Sequence, residues 1–205
     1  MLRLLANCKY MAKFKPSQAN IKRMFSKLRI IVNSDDGEED YDTTWYPNGF
    51  ASNQISIGHD GIGSNDAGLR FLRPLLPNNV KITKAVLRVK SAVNSTKRPV
   101  WTIKGIKQPS TLSFDSTHRP SQQPKTTATV AWVPGADWVL NTWYESPDIK
   151  SIIQEIIDQT EFTNKAIGIV IEDNASPSNN YENVWDFNSG TANAPQLILT
   201  IEPDL

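Results

Sequence analysis

Apolar and polar residues alternate in several short segments of the chain, and this period of two is typical of half-buried β-strands. In the clearest segment, at 82–90, alternate apolar positions are predicted to face a core while Lys84, Arg88 and Lys90 face outward. Glycine, proline and acidic residues separate the alternating segments and indicate turns. The pattern predicts strands at 28–32, 54–58, 69–73, 82–90, 99–106, 128–132, 167–171, 181–187 and 197–201.

One stretch changes to helical spacing. Ser146 is a good N-cap, Pro147 suits the first helical position, and Asp148 is favoured where the helix dipole attracts an acid. The isoleucines that follow would form one apolar face: Ile149, Ile152, Ile153, Ile156 and Ile157. A helix with such a face must pack on something apolar, so we expect it to close one end or edge of the strands.

These elements predict an all-β fold, a jelly-roll β-sandwich with one short core-packing helix at about 147–158 and an N-terminal helical arm. A chain of 205 residues is long enough to bury a core within one sandwich. We therefore expect a basic arm at 1–28 and a single β-sandwich domain at 29–205.

The predicted arm has an unusual charge. Residues 1–33 hold eight of the 22 basic residues and none of the 21 acidic ones, and the pattern after Pro16 predicts an amphipathic helix ending near Leu28. Such an arm favours docking on a negatively charged surface, although a solvated leader or a transit peptide stays open. Nucleic acid is not expected, because no aromatic residues interleave with the basic ones. The candidate partner-binding residues are Lys13, Lys15, Lys22, Arg23, Met24, Phe25, Lys27 and Arg29.

Three polar segments are predicted to be loops. The acidic run at 34–40 indicates an exposed turn, since its acids do not follow the spacing of an EF-hand loop; a structural calcium ion stays an open alternative. The glycine-rich segment at 59–68 predicts a hairpin turn. The segment at 108–127 is the longest loop, and loops of that length are usually functional or mobile.

Few residues offer catalytic chemistry. His59 and His118 are the two histidines and both fall in predicted loops, while the single cysteine, Cys8, permits no intramolecular disulfide and no cysteine-based metal site. No apolar run approaches the ~20 residues that a membrane-spanning helix needs. We therefore expect no catalytic site, no metal site, no cofactor and no insertion into a membrane.

Several segments together resemble a known family. They are Asp-Asp-Gly at 35–37, Ile-Gly at 57–58, Gly-Leu-Arg-Phe at 68–71, and the longer segments at 76–89, 143–157 and 194–201. Over roughly residues 30–203 the chain resembles the DNRLRE-type jelly-roll domains, of which close relatives occur in structural proteins of tailed bacteriophages. The resemblance implies a β-sandwich, and in the carbohydrate-binding members it implies a sugar-binding module.

Two functions are expected from these observations. The first is a non-enzymatic virion protein, most simply a capsid decoration or cement protein that docks on the major capsid protein through its arm, as a homo-oligomer or in many copies. A minor tail or adhesion component is the variant of this hypothesis. The second is a carbohydrate-binding module, in which exposed aromatic rings would stack on sugars. Its candidate residues are Trp45, Tyr46, Trp138 and Tyr181.

Overall fold

Two antiparallel sheets face each other in the computed structural model, which describes residues 24–41, 43–47, 49, 53–77, 80–162 and 166–203. The described residues form twelve strands and one α-helix. The elements are β1 Met24–Arg29, β2 Asp36–Asp40, β3 Thr44–Tyr46, β4 Gln54–His59, β5 Ser64–Leu72, β6 Val80–Lys90, β7 Trp101–Ile106, β8 Lys125–Trp132, β9 Trp143–Glu145, α1 Lys150–Ile157, β10 Ala166–Asp173, β11 Asn180–Trp185 and β12 Gln196–Pro203.

The small sheet has the order β1-β12-β6-β9, and the large sheet has the order β11-β4-β5-β10-β7-β8. Strand β2 pairs with β5 and β3 pairs with β2, so they extend the large sheet beside this path. The predicted all-β sandwich with one short helix is therefore confirmed. The predicted hairpin at 59–68 is also confirmed, because β4 and β5 pair antiparallel next to this turn.

The main core lies between the sheets and is built from alternate residues of their strands. On β6 the predicted inward positions Ala85, Leu87 and Val89 are fully buried. Trp101 of the large sheet is fully buried as well, and its indole nitrogen donates a hydrogen bond to the Ile57 carbonyl at 3.2 Å. This bond satisfies the one polar group that the ring carries into the core.

Helix α1 packs on β6, β7 and β8 and so contacts both sheets. Three of its isoleucines, Ile152, Ile153 and Ile156, are fully buried. Gly105 of β7 leaves room for them, because a Cβ atom there would lie 2.6 Å from Ile156. The prediction that Ser146 caps the helix is wrong, because the Ser146 hydroxyl accepts the Leu87 amide and the helix begins only at Lys150. Asp148 instead accepts the amides of Lys150 and Ala85.

The acidic run at 34–40 is not the exposed turn that was predicted. Residues 36–40 form β2, and four of the acids are buried: Asp35, Asp36, Glu38 and Glu39. Arg70 lies 2.5 Å from Asp35, and Arg119 lies 2.8 Å from Glu39. The prediction failed because these cations come from β5 and from the loop before β8, which are distant in the sequence.

The loop between β7 and β8 covers the outer face of the large sheet. Its Phe114 packs against Trp45, with ring centroids 5.2 Å apart, and both join Ile106 and Val170 in a second apolar cluster. A Cβ atom at Gly168 of β10 would lie 2.6 Å from Thr111, so the loop approaches the sheet backbone closely. The predicted loop at 108–127 thus packs on the domain, and β8 begins within its last residues.

The predicted helical arm is wrong for its last residues. Met24, Phe25 and Leu28 belong to β1, which pairs antiparallel with β12 from Met24↔Ile201 to Arg29↔Gln196. An extended backbone lets each amide and carbonyl on one side of β1 pair with β12, and Leu28 enters the core while Lys27 and Arg29 stay exposed. The rest of the predicted arm, including Lys13, Lys15, Lys22 and Arg23, lies outside the described residues.

Candidate docking surface

The outer face of the small sheet carries most of the candidate chemistry. Side chains of directly paired residues point to the same face of a sheet, so the register defines rows across the strands. One row joins Arg29, Gln196, Arg88 and Glu145. The other rows are Phe25-Thr200-Lys84, Lys27-Ile198-Val86 and Lys90-Trp143. We call the outward side chains of these four rows the basic face.

The basic face has five cationic side chains and one acidic one, Glu145. Arg88 forms an ion pair with Glu145 at 3.1 Å, and its guanidinium lies 5.1 Å from the centroid of the Trp143 ring. Partial burial lowers the pKa of Lys27, and the charges of Arg29 and Arg88 lower it further. The positive charges are therefore close enough to repel one another, and an anionic partner would relieve this repulsion.

An apolar side chain, that of Phe25, lies at the β1 edge of the same face. Among the described strands, β1 ends the small sheet, and Phe25 on the basic face is 77% exposed. Met24 is 46% exposed but alternates to the opposite face of β1, where it pairs with Ile201. Protein interfaces commonly place aromatic residues and arginine at their centre, surrounded by polar groups. The basic face combines these groups with an exposed sheet edge, which suits binding to a protein surface.

The aromatic residues expected to bind a glycan do not form a platform. Trp45 and Trp138 are only 9% and 2% exposed, so the prediction that these rings are exposed is wrong. Trp45 packs under the β7–β8 loop, and Trp138 stacks on Tyr144 with centroids 4.2 Å apart. Tyr46 and Tyr181 are half-buried, and the Lys97 ammonium lies 3.1 Å from the centroid of the Tyr181 ring.

Both histidines bind within their own turns. The Nδ1 atom of His59 accepts the Gly61 amide at 3.1 Å, and His118 lies 3.1 Å from the Asp115 carboxylate. Hydrogen bonds from the Thr117 hydroxyl and amide hold the pKa of Asp115 well below its usual range. Asp115 is therefore an ionised turn residue. The Thr117 hydroxyl lies 3.0 Å from Nδ1 of His118 and 2.7 Å from the Asp115 carboxylate, so these three side chains bind one another within one exposed turn.

A shallow groove of about 600 Å³ runs along helix α1. Its lining residues are polar in type and include Lys107, Gln154 and Glu155, although most of the surface that they expose in the groove is apolar. The Glu155 carboxylate accepts the amides of Thr127 and Ala128 and pairs with Lys107 at 2.9 Å. These contacts join the helix to β8 and to the residue that follows β7, so Lys107 and Glu155 already have structural partners.

The sequence predicted several residues of the basic face but not that the sheet brings them together. Met24, Phe25, Lys27 and Arg29 were candidate binding residues, and all four lie on β1, the last three of them on the basic face. The alternation at 82–90 also placed Lys84, Arg88 and Lys90 on the outside. The signal that was lacking is the strand order, because only the pairing β1-β12-β6-β9 joins these residues and Trp143.

Within the described ranges, no helix has the length and apolar character needed to cross a bilayer. The comparison with protein-family models finds no match for this chain, and neither does the comparison with curated proteins.

Proposed function

We propose that this chain is a non-enzymatic structural protein of a bacteriophage virion, which docks on an acidic surface of the major capsid protein. The observation that carries this proposal is the basic face, with its exposed Phe25 at the free edge of β1. The resemblance of residues 30–203 to DNRLRE-type domains of phage structural proteins supports the choice of a virion.

Charge continuity favours the outer face of the small sheet as the docking surface. Residues 1–33 contain no acid, and their last part enters the sheet as β1, which β12 separates from Arg88 and Lys84 of β6. The basic segment and the basic face therefore meet at one edge of the domain. A capsid lattice presents the same acidic surface many times, so weak individual contacts could retain many copies of the protein.

The proposal is tested with purified particles from a phage strain that lacks this chain. Recombinant full-length protein should co-sediment with the particles, and binding should weaken as salt rises from about 0.05 to 0.3 M because the contact is electrostatic. The double variant Lys27→Glu/Arg29→Glu should bind about tenfold more weakly or worse, a change of ~1.4 kcal/mol or more.

A matched control reverses two exposed charges elsewhere, Arg73→Glu/Lys150→Glu, and should bind like the wild type. The docking proposal would be refuted if the wild type did not co-sediment with the particles, or if both double variants lost binding affinity equally. Binding of the wild type to purified host polysaccharide, together with no binding to particles, would favour the carbohydrate-binding alternative. Mass spectrometry of native virions measures the copy number of the protein. Hundreds of copies per particle would indicate capsid decoration, and a handful would indicate a tail component.

A further inference from the structure

The buried acids of the segment before and within β2 differ in how their charge is satisfied. Asp35 pairs with Arg70, Glu39 pairs with Arg119, and Glu38 accepts the Ser56 amide. Asp36 is equally buried, yet among the described contacts it has no cationic partner. A buried carboxylate without a counter-charge is costly, so its surroundings require an explanation.

The neighbour of Asp36 is another buried acid. The Oδ2 atom of Asp36 accepts the Phe187 amide at 2.8 Å, which places it beside Asp186, the preceding residue. Asp186 is fully buried, and its Oδ1 atom accepts the Ser189 amide at 3.0 Å. The remaining oxygens, Oδ1 of Asp36 and Oδ2 of Asp186, are inaccessible to solvent and have no hydrogen-bond partner in the described part of the molecule.

The electrostatics agree with this geometry. Burial, followed by the nearby charge of Asp186, raises the pKa of Asp36 to about 8. Burial also raises the pKa of Asp186, although the amides of Ser189 and Asn188 oppose the effect. Independently of these pKa shifts, each of the two adjacent buried carboxyl groups has one oxygen without a partner among the described residues.

We propose that Asp36 and Asp186 form a binding site for a divalent cation of the calcium type, which nothing in the proposed docking function requires. Both donors are carboxylate oxygens, which hard cations such as Ca²⁺ prefer over the softer transition metals. Among the described residues, no group of three or more His, Cys, Asp or Glu side chains can hold a metal ion. The other ligands would thus be carbonyl oxygens or water, as is common for calcium.

Such a site would tie two distant parts of the chain together. Asp36 begins β2, and Asp186 follows β11 and precedes the last strand. A cation between Asp36 and Asp186 would join two segments that are 150 residues apart in the sequence. With two carboxylates, the expected dissociation constant is on the order of 0.1–1 mM, as in weak calcium modules.

The test uses the full-length chain after chelation and dialysis, with Ca²⁺ alone as the probe. At about 10 mM CaCl₂ the melting temperature should rise by about 3–6 °C, whereas NaCl at equal ionic strength should leave it unchanged. Equilibrium dialysis should show about one Ca²⁺ bound per chain at this concentration.

The variants Asp36→Asn and Asp186→Asn should lose the calcium-dependent shift, while each keeps a side-chain oxygen for its amide donor. Asp137→Asn removes an exposed carboxylate and should respond like the wild type. Absence of bound Ca²⁺ in the wild type would overturn the site, as would an equal shift with NaCl or a shift that both asparagine variants retain. If a variant proves unfolded by circular dichroism, the dialysis result on the wild type alone decides.

Discussion

Replacement of Arg119 by alanine should destabilise the domain far more than loss of an ordinary surface ion pair. Arg119 belongs to the β7–β8 loop, and its Nε atom lies 2.8 Å from the Glu39 carboxylate. Glu39 is fully buried and also accepts the amide and the hydroxyl of Ser121, at 2.7 and 2.6 Å. This carboxylate therefore attaches the loop to β2 through three hydrogen bonds, one of them from a cation.

The magnitude follows from what remains after the substitution. Without Arg119 the Glu39 charge stays buried with only the Ser121 donors, and breaking a buried pair in this way costs about 3–5 kcal/mol. The side chain of Arg119 is 18% exposed, so water can enter the vacated space and we expect the lower end, ~3 kcal/mol. The double variant Glu39→Gln/Arg119→Met removes both charges and should recover part of this loss.

Urea unfolding followed by tryptophan fluorescence measures the effect, since Trp45 lies under the same loop. The matched control is Arg98→Ala, which breaks a shorter ion pair, 2.5 Å from Asp137, in which both side chains are well exposed. Its loss should be about 0–1 kcal/mol. If Arg119→Ala costs no more than Arg98→Ala, the reasoning that burial rather than distance sets the value of these pairs is refuted.

Two further predictions concern packing and pH. Gly168→Ala would place its Cβ atom 2.6 Å from Thr111 and should lower the free energy of unfolding by about 1–3 kcal/mol. The control Gly135→Ala has no atom within 4 Å of its Cβ position and should change the free energy of unfolding by less than about 0.5 kcal/mol. Equal effects of the two variants would contradict the close contact between the loop and β10. Burial raises the pKa of Glu182 from 4.5 to about 7, so the folded state retains a proton that the unfolded state has lost, and this group's contribution to stability falls as pH rises from 4.5 to 7. Glu182→Gln is neutral at every pH, and its urea midpoint should fall less between pH 5 and pH 8 than that of the wild type; an unchanged pH dependence would refute this assignment.

The strands and the helix could be predicted because their signal is local. The alternation at 82–90 matches β6, the continuous apolar run at 167–171 matches β10, and the isoleucine spacing after Asp148 matches α1. The helix begins at Lys150 and not at about 147 as predicted, because Ser146 can bind either the helix terminus or β6. Its hydroxyl binds the Leu87 amide, and no local propensity shows that β6 will lie there.

The acidic segment shows the opposite case. Seven residues around Gly37 that include five acids read as a solvated turn, since burying any of their charges alone is unfavourable. The segment can be buried because Arg70 and Arg119 arrive from other parts of the chain. A local stretch of sequence contains only the acidic partner of each of these ion pairs, so their formation could not be predicted before the tertiary structure was known.

The basic face depends on tertiary structure in the same way, and this affects how charge in the sequence should be interpreted. The body of the chain after residue 33 is acidic on balance, which suggested that positive charge ends with the arm. Several acids of that body are buried or paired, whereas Lys27, Arg29 and Lys84 lie on one exposed sheet face. Net charge per segment therefore misplaces the surface potential. The register of β1, β12 and β6 continues the basic N-terminal segment onto the folded domain, and that continuity makes the small sheet the surface on which to test docking.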